Sequence, residues 1–181
     1  IKEGKVTLDQ TFEISEHAWR EGGAPSKGSS MFASLHSQVR VEDLIRGLVI
    51  ASGNDAAIAI AEGVAGTEEA FGQMMTRRAR ELGLRQLNFV NPWGRSDPAQ
   101  KTTVREMALL AAHVIQTYPD LYRYFGEKSF TWNKITQANR NPLLLMNIGA
   151  DGLKTGNIDE SGFAIVGSAV ENGQLPGASA T

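Results

Sequence analysis

The sequence lacks cysteine, so it cannot form a disulfide framework, supply a thiol nucleophile or bind a metal through thiolates. It also lacks an apolar run of the roughly 18 residues that a membrane span needs, because polar residues such as Asp55 and Glu62 interrupt the most apolar stretch, residues 48–65. No phosphate-binding glycine loop is present, and the three histidines have no metal-site spacing. We therefore expect no cofactor and no metal.

Neither sign of charge is in excess, since 18 Lys and Arg residues face 20 Asp and Glu residues for a net charge of −2. This balance gives no electrostatic reason to expect nucleic acid as a partner. The 181 residues are 41% hydrophobic and 21% charged, which is typical of a soluble globular domain with a real core.

Apolar periodicity predicts four helices in the middle of the chain and strands near its end. The helices are expected from Val41 to just before Ser52, over residues 54–64, from Thr67 to Gly83 and from Thr103 to Pro119, and the strands over residues 129–135, 152–156 and 162–170. Because helices and strands do not alternate regularly, we predict an α+β fold in which an antiparallel sheet packs with a helical cluster.

Several helix termini are also predicted. Asn54 and Asp55 are candidate N-caps of the second helix, which Gly63 and Gly66 are expected to end. Thr103 and Glu106 have the spacing of a capping box for the fourth helix. The core face of that helix is predicted to contain Val104, Met107, Ala111, Val114 and Ile115.

The last residues of the chain show a conflict between two signals. Asn172-Gly173 predicts a hairpin turn, yet residues 175–181 contain a proline and small side chains that favour a strand poorly. We therefore expect a domain over residues 1–174 and a tail of uncertain origin over residues 175–181.

The segment Ser52-Gly53-Asn54 lies between two apolar helices. A serine hydroxyl can pass a proton, and an asparagine amide can donate to a substrate carbonyl. Taken alone, the segment is equally explained by a helix end followed by a helix cap.

The segment Lys154-Thr155-Gly156 falls on a predicted strand before a turn. Its lysine and threonine offer a charge and a hydroxyl donor, and its glycine would let a second backbone approach the strand edge. A lysine can also simply protect an edge strand against aggregation.

Together the two segments indicate one class of protein far more specifically than either does alone. Ser-x-x-Lys, Ser-Asp-Asn and Lys-Thr-Gly form the signature set of penicillin-binding proteins and class A β-lactamases. The sequence around Leu44-Ile45-Arg46-Gly47 and Ser52-Gly53-Asn54 closely resembles that of the low-molecular-mass D-alanyl-D-alanine carboxypeptidases, serine peptidase family S11. So do three other stretches: Gly28-Ser29-Ser30-Met31-Phe32, Gln137-Ala138-Asn139-Arg140-Asn141 and Asp151-Gly152-Leu153-Lys154-Thr155-Gly156. The resemblance covers about residues 1–174.

This resemblance implies a serine peptidase that removes the terminal D-alanine of peptidoglycan stem pentapeptides through an acyl-enzyme, and that β-lactams acylate. It implies that Ser52 shuttles a proton toward the leaving amine and Asn54 holds the substrate amide. Lys154 would supply positive charge and Thr155 would bind the terminal carboxylate beside Gly156. Arg140 would lie near that carboxylate, as its fork of donors suits, although a surface ion pair explains this residue equally well.

The sequence departs from the family in one respect, because no serine in it is followed three residues later by lysine. Ser37 is followed by Arg40, which cannot act as a base, and Ser179 is too near the end. In the family, Ser-x-x-Lys lies upstream of the position that corresponds to Ile1. We therefore expect the domain to be partial and these 181 residues alone to be inactive, since a serine needs an adjacent base to attack.

Two alternatives remain open at this point. A serine β-lactamase has the same fold, but it would carry Ser-Asp-Asn and a loop glutamate that activates water. A non-catalytic peptidoglycan-binding module would have kept the cleft without the nucleophile. The resemblance also implies a periplasmic or cell-surface location, and it allows peripheral membrane association through a segment outside this sequence.

Overall fold

The structure is a computed structural model that describes residues 1–171 and 174–180. Its helices are α1 (Val41–Ile50), α2 (Asn54–Ala65), α3 (Glu68–Glu81), α4 (Val104–Thr117) and α5 (Pro119–Tyr122). Its strands are β1 (Thr11–Glu13), β2 (Gln38–Arg40), β3 (Ser129–Trp132), β4 (Ile135–Ala138), β5 (Ala150–Ile158), β6 (Gly162–Glu171) and β7 (Gln174–Ala180). This order confirms the predicted α+β class.

All strand pairs in the described part of the chain are antiparallel, as predicted. Strand β1 pairs with β2, β3 pairs with β4, and the third sheet has the order β5-β6-β7. Strand β5 therefore lies at the edge of its sheet, which leaves its outer backbone groups available to a ligand.

The main core lies where the apolar faces of α1 and α2 meet the β1–β2 pair and the β3–β4 hairpin. Its fully buried side chains include Ile14, Val39, Leu44, Ile50 and Ile58. A second cluster joins α4 to the third sheet through Ala111, Ile115, Tyr122 and Leu153. Because α1 and α2 pack in the first cluster and β5 in the second, the two predicted motifs are each held by a separate core.

The predicted helix caps are only partly right. Thr103 does cap α4, where its hydroxyl accepts from the Glu106 backbone N–H at 3.3 Å. The Glu106 side chain does not complete a capping box, because its carboxylate accepts from the backbone N–H groups of Gln86 and Leu87 at 2.9 and 3.0 Å. The capping-box prediction failed because the Glu106 carboxylate binds the distant backbone N–H groups of Gln86 and Leu87 instead of an N–H group at the start of its own helix.

The prediction that Asn54 and Asp55 cap α2 was wrong. Gly53 is the N-cap, so Asn54 and Asp55 are the first two residues of the helix, and the Asp55 carboxylate accepts from the N–H of the adjacent Ala56 at 3.0 Å. The other end is set by Gly66 at φ 83°, while Gly63 lies inside the helix. Val104 was also misassigned to the core face of α4, since it is 58% exposed at the first turn, where no other element covers it.

Residues 174–180 form β7, so the expectation that this segment is poor strand material was wrong. Backbone pairing with β6 supplies its hydrogen bonds whatever the side chains are. The register is irregular between the pairs Ala169↔Gly177 and Glu171↔Gln174, so Pro176 lies at a bulge, where proline is tolerated. The predicted turn at Asn172-Gly173 lies outside the described residues.

Candidate active site

The turn between α1 and α2 has a backbone conformation that only a few residue types favour. Ser52 has φ 57°, a left-handed conformation that is uncommon for a residue other than glycine and often marks a functional site. Gly53 follows it, and its N–H donates to the Gly47 carbonyl at 2.9 Å. A Cβ at this position would lie 2.9 Å from Asp55 Oδ1 and 3.0 Å from the Met31 nitrogen, so the turn requires glycine for space.

Asp55 anchors this turn to the segment that contains Met31, and the sequence analysis missed this role. Its carboxylate is fully buried and accepts from the Ser30 hydroxyl at 2.7 Å and from the Met31 N–H at 2.9 Å. It also accepts from the N–H groups of Ala33 at 3.2 Å and Ala56 at 3.0 Å. A carboxylate with four donors is well satisfied, so Asp55 fixes the position of Ser52 and Asn54.

Strand β5 brings the second motif to the first one. The Lys154 ammonium donates to the Ser52 hydroxyl at 2.9 Å and to the Thr155 carbonyl at 2.8 Å. The segments Ser52-Gly53-Asn54 and Lys154-Thr155-Gly156 are therefore in contact in the structure.

Lys154 is in an unusual electrostatic environment. Burial, and secondarily the positive charge of Arg140, lower its pKa from 10.5 to about 8. Burial acts in this direction because a low-dielectric environment disfavours the charged form of an amine. A lysine that titrates near pH 8 can give or take a proton far more readily at neutral pH than an ordinary lysine can.

Asn54 faces the groove from the first turn of α2. Its backbone N–H donates to the Ser29 carbonyl at 2.9 Å, which joins the Ser52-Gly53-Asn54 turn to the loop before Met31. A Cβ on Gly28 would lie 3.1 Å from the Asn54 side-chain nitrogen, so the glycine leaves room for this amide. The residue is half-buried, so part of its surface remains accessible.

Thr155 and Gly156 continue the edge of β5 beyond Lys154. Thr155 is half-buried, whereas Gly156 is exposed and a Cβ there would meet no other heavy atom within 4 Å. The edge at Gly156 is therefore open to an incoming backbone.

Arg140 lies in the segment after β4, which is tied to the end of α1. Its backbone N–H donates to the Ile50 carbonyl at 3.2 Å, and its side chain is exposed. The neighbouring Asn139 amide donates to the carbonyls of Phe125 and Glu127 at 3.1 and 2.9 Å, which holds the segment in place. Arg140 is close enough to affect the Lys154 pKa, so all the predicted site residues belong to one region.

In the described part of the chain, no three metal-ligating side chains are grouped together, and no helix is both long and apolar enough to cross a membrane. An apolar cavity of about 820 Å³ lies among helices α1 to α4, and its lining residues do not include Ser52 or Lys154. The hydrogen-bonded Ser52 and Lys154 thus lie outside this apolar cavity.

The sequence profile of the D-alanyl-D-alanine carboxypeptidase family matches residues 1–178. The chain is 40% identical over 176 residues to D-alanyl-D-alanine carboxypeptidase DacA of Haemophilus influenzae, covering 97% of this chain and 44% of that protein. It is 42% identical over 173 residues to DacC of Escherichia coli, covering 94% of this chain and 43% of that protein. The chain thus spans less than half the length of these curated relatives.

Solved structures show the same similarity. Penicillin binding protein 5 of Haemophilus influenzae superposes with a TM-score of 0.93 at 39% identity, over 99% of this chain and 52% of that one. The carboxypeptidase DacD of Francisella tularensis superposes with a TM-score of 0.92 at 30% identity, over 99% and 55% of the two chains. The fold of this chain is therefore that of the DD-peptidases and penicillin-binding proteins.

Proposed function

The chain belongs to the D-alanyl-D-alanine carboxypeptidase family, and we propose that it supplies most of the substrate groove of a serine-type D-Ala-D-Ala carboxypeptidase. The hydrogen bond from Lys154 to Ser52 is the observation that carries this proposal. A lysine that has a lowered pKa and is hydrogen-bonded to a serine hydroxyl can transfer protons. A lysine that only protected a strand edge would instead point to solvent.

The substrate in this proposal is a peptidoglycan stem peptide that ends in D-Ala-D-Ala. Its backbone adds to the open edge of β5, where Gly156 lets it approach closely. The Thr155 hydroxyl donates to the terminal carboxylate, and Arg140 adds a positive charge nearby. The Asn54 amide donates to the carbonyl of the peptide bond that precedes the scissile one. These contacts hold the scissile bond beside Ser52.

Ser52 and Lys154 deliver a proton to the leaving group. When a nucleophilic serine attacks the scissile carbonyl, its hydroxyl proton passes to the lysine of its Ser-x-x-Lys motif. The C–N bond then breaks, and the departing D-alanine must receive a proton. The Ser52 hydroxyl gives that proton while it accepts another through its hydrogen bond, and the Lys154 ammonium is the donor at 2.9 Å. Water then releases the shortened peptide from the acyl-enzyme, which restores the serine hydroxyl.

The nucleophile in this scheme is the serine of a Ser-x-x-Lys motif, which the 181 residues do not contain. Because the chain covers 44% of its Haemophilus relative, the complete site is proposed to require residues beyond this sequence. Penicillins and other β-lactams would acylate the same serine, since their ring presents a strained amide to it. The proposed substrate is extracytoplasmic, so the proposed location is the periplasm or cell surface.

The proposal is tested on the protein at its full natural length. We expect release of D-alanine from an acyl-peptide that ends in D-Ala-D-Ala, together with a stable acyl adduct with benzylpenicillin in intact-mass spectra. A protein that turns over a chromogenic cephalosporin rapidly and releases no D-alanine would instead be a β-lactamase. A protein that binds the peptide without releasing D-alanine would be a non-catalytic binding module.

A further inference from the structure

Three polar side chains meet at the start of β5, close to the strand position of Lys154. Asp151 Oδ1 accepts from the Ser168 hydroxyl at 2.7 Å and from the Tyr122 hydroxyl at 3.1 Å, and the two hydroxyls also contact each other. Tyr122 and Ser168 are buried and Asp151 is half-buried. We call these three residues the Asp151 cluster, and none of them takes part in the proposed proton transfer.

Asp151 is an extra residue in the pairing of β5 with β6. The register shifts by one residue between Ala150 and Gly152, so Asp151 has no partner of its own on β6. A β-bulge of this kind re-aims side chains and is common next to active sites. Because side chains alternate between the two faces of a strand, one extra residue decides on which face the following residues lie. The bulge at Asp151 therefore helps to set the face from which Lys154 reaches Ser52.

Two glycines let the chain around α5 lie directly against this bulge. A Cβ on Gly152 would overlap the Tyr122 hydroxyl, and a Cβ on Gly126 would lie 2.9 Å from the Asp151 carbonyl oxygen. Burial, and to a smaller extent the negative charge of Asp151, raises the pKa of Tyr122 above its usual value of 10. The Tyr122 hydroxyl therefore keeps its proton and remains a donor to the bulge.

We propose that Tyr122, Asp151 and Ser168 are positioning residues, which hold the bulge in one conformation and thereby keep the Lys154 ammonium on the Ser52 hydroxyl. Ser168 ties the bulge to β6, and Tyr122 ties it to the end of α5, so this end of β5 is held from two sides. Without these bonds the strand end would move, and the ammonium would gain contact with solvent. The inference rests on the proposed function, because it concerns the lysine that this function uses.

The pKa of Lys154 distinguishes a positioning role of the cluster from a direct effect of its charge. Burial is the main cause of the low pKa, so an ammonium that moves into solvent should return toward the ordinary value of 10.5. Removal of the Asp151 charge alone would act in the opposite direction, because a nearby carboxylate favours the charged ammonium. A raised Lys154 pKa in Asp151→Ala would therefore report movement of the strand.

The test measures this pKa in the protein at its full natural length. Acetic anhydride reacts only with neutral amines, so the labelling rate of the Lys154 peptide across a range of pH, read by mass spectrometry, gives the pKa. We expect Tyr122→Phe and Asp151→Ala each to raise it from about 8 toward 10.5. Asp151→Asn keeps an oxygen that accepts from both hydroxyls, so it should retain the low value.

The same variants should also change turnover. We expect kcat for D-alanine release to fall by about tenfold in Tyr122→Phe, less than the 100-fold or more that loss of a proton-transfer group costs. The alkaline limb of activity should move to higher pH together with the Lys154 pKa. A fall in stability alone would not move that limb.

Tyr124→Phe is the matched control. Tyr124 is fully buried, and its hydroxyl donates to Glu42 Oε1 at 2.8 Å, so the substitution removes a bond of the same kind that ends on α1 instead of β5. It should leave the Lys154 pKa unchanged. A Lys154 pKa that stays near 8 in Tyr122→Phe or Asp151→Ala, or that rises equally in Tyr124→Phe, would overturn the inference. The labelling does not depend on turnover, so if no D-alanine is released the proposed function fails while the labelling still decides whether the cluster positions Lys154.

Discussion

The Lys154 ammonium and the Ser52 hydroxyl are joined by a hydrogen bond of 2.9 Å although 102 residues separate them in the chain. The contact crosses from the third sheet to the junction of α1 and α2, which are packed in different hydrophobic clusters. A contact of this kind depends on both clusters being formed. Each of the following predictions depends on this arrangement.

Replacing Lys154 by methionine removes the donor to Ser52 and keeps a side chain of similar length. We expect kcat/KM for D-alanine release by the full-length protein to fall by about 100-fold or more, the usual range for loss of a proton-transfer group. The matched control is Lys128→Met, which removes an exposed lysine just before β3 and should retain wild-type rates. A Lys154→Met protein with normal turnover would show that this lysine has no part in the reaction.

The pH dependence of turnover should reveal the lowered pKa of Lys154. Because the charged ammonium is the donor, activity should decline as pH rises through about 8, where that charge is lost. The positive charge of Arg140 is a secondary cause of the low pKa, after burial. Arg140→Gln should therefore raise the pKa and move the alkaline limb of kcat/KM to higher pH, whereas Arg140→Lys should leave it in place. An alkaline limb that stays unmoved in Arg140→Gln would contradict this assignment.

The Asp55→Asn substitution tests the anchor under the Ser52 turn. Asparagine replaces one of two accepting oxygens with a donor, which would face other donors such as the Ser30 hydroxyl or the Met31 N–H. We expect the free energy of unfolding in urea to drop by about 3 kcal/mol, since a buried and fully bonded charge network is broken. Asp120→Asn, at a carboxylate that is 83% exposed, should change it little. Equal stability of the two variants would refute the anchoring role.

Two glycine-to-alanine substitutions should separate stability from substrate binding. At Gly53 a methyl group would crowd Asp55 Oδ1 and the Met31 nitrogen, so Gly53→Ala should destabilise the protein by about 2 kcal/mol. At Gly156 a methyl group has open space, so Gly156→Ala should keep its melting temperature. It should nevertheless raise KM, because the methyl group stands where the substrate backbone approaches. Thermal unfolding and D-alanine release measured on both variants provide the comparison.

The 181-residue polypeptide itself should form no covalent adduct with benzylpenicillin and release no D-alanine. The proposed nucleophile belongs to a Ser-x-x-Lys motif, and no serine of the 181 residues has a lysine three residues later. Intact-mass spectrometry after incubation with the drug measures this directly. A one-to-one acyl adduct would show that another serine of this chain, such as Ser52, is a nucleophile.

Local sequence patterns determined much of the fold. The apolar repeat through Val41 and Leu44 predicted α1, and helices α2 to α4 and the strands β5 and β6 were placed close to their observed bounds. These elements depend on periodicity and nearby residues, which a sequence displays directly. The resemblance then selected the residues of the candidate site, Ser52, Asn54, Arg140, Lys154, Thr155 and Gly156.

Only the tertiary structure decided how those residues act together. The three donors to Asp55 from residues 30–33, the binding of Glu106 to the backbone near Leu87 and the pairing that makes β7 a strand all involve partners outside the local segment. The lowered pKa of Lys154 likewise depends on burial and on Arg140, and the Asp151 cluster depends on how the end of α5 meets β5 and β6. Local sequence determines which conformation a segment prefers, but the distances, desolvation and charge that make chemistry possible arise only when distant segments pack together.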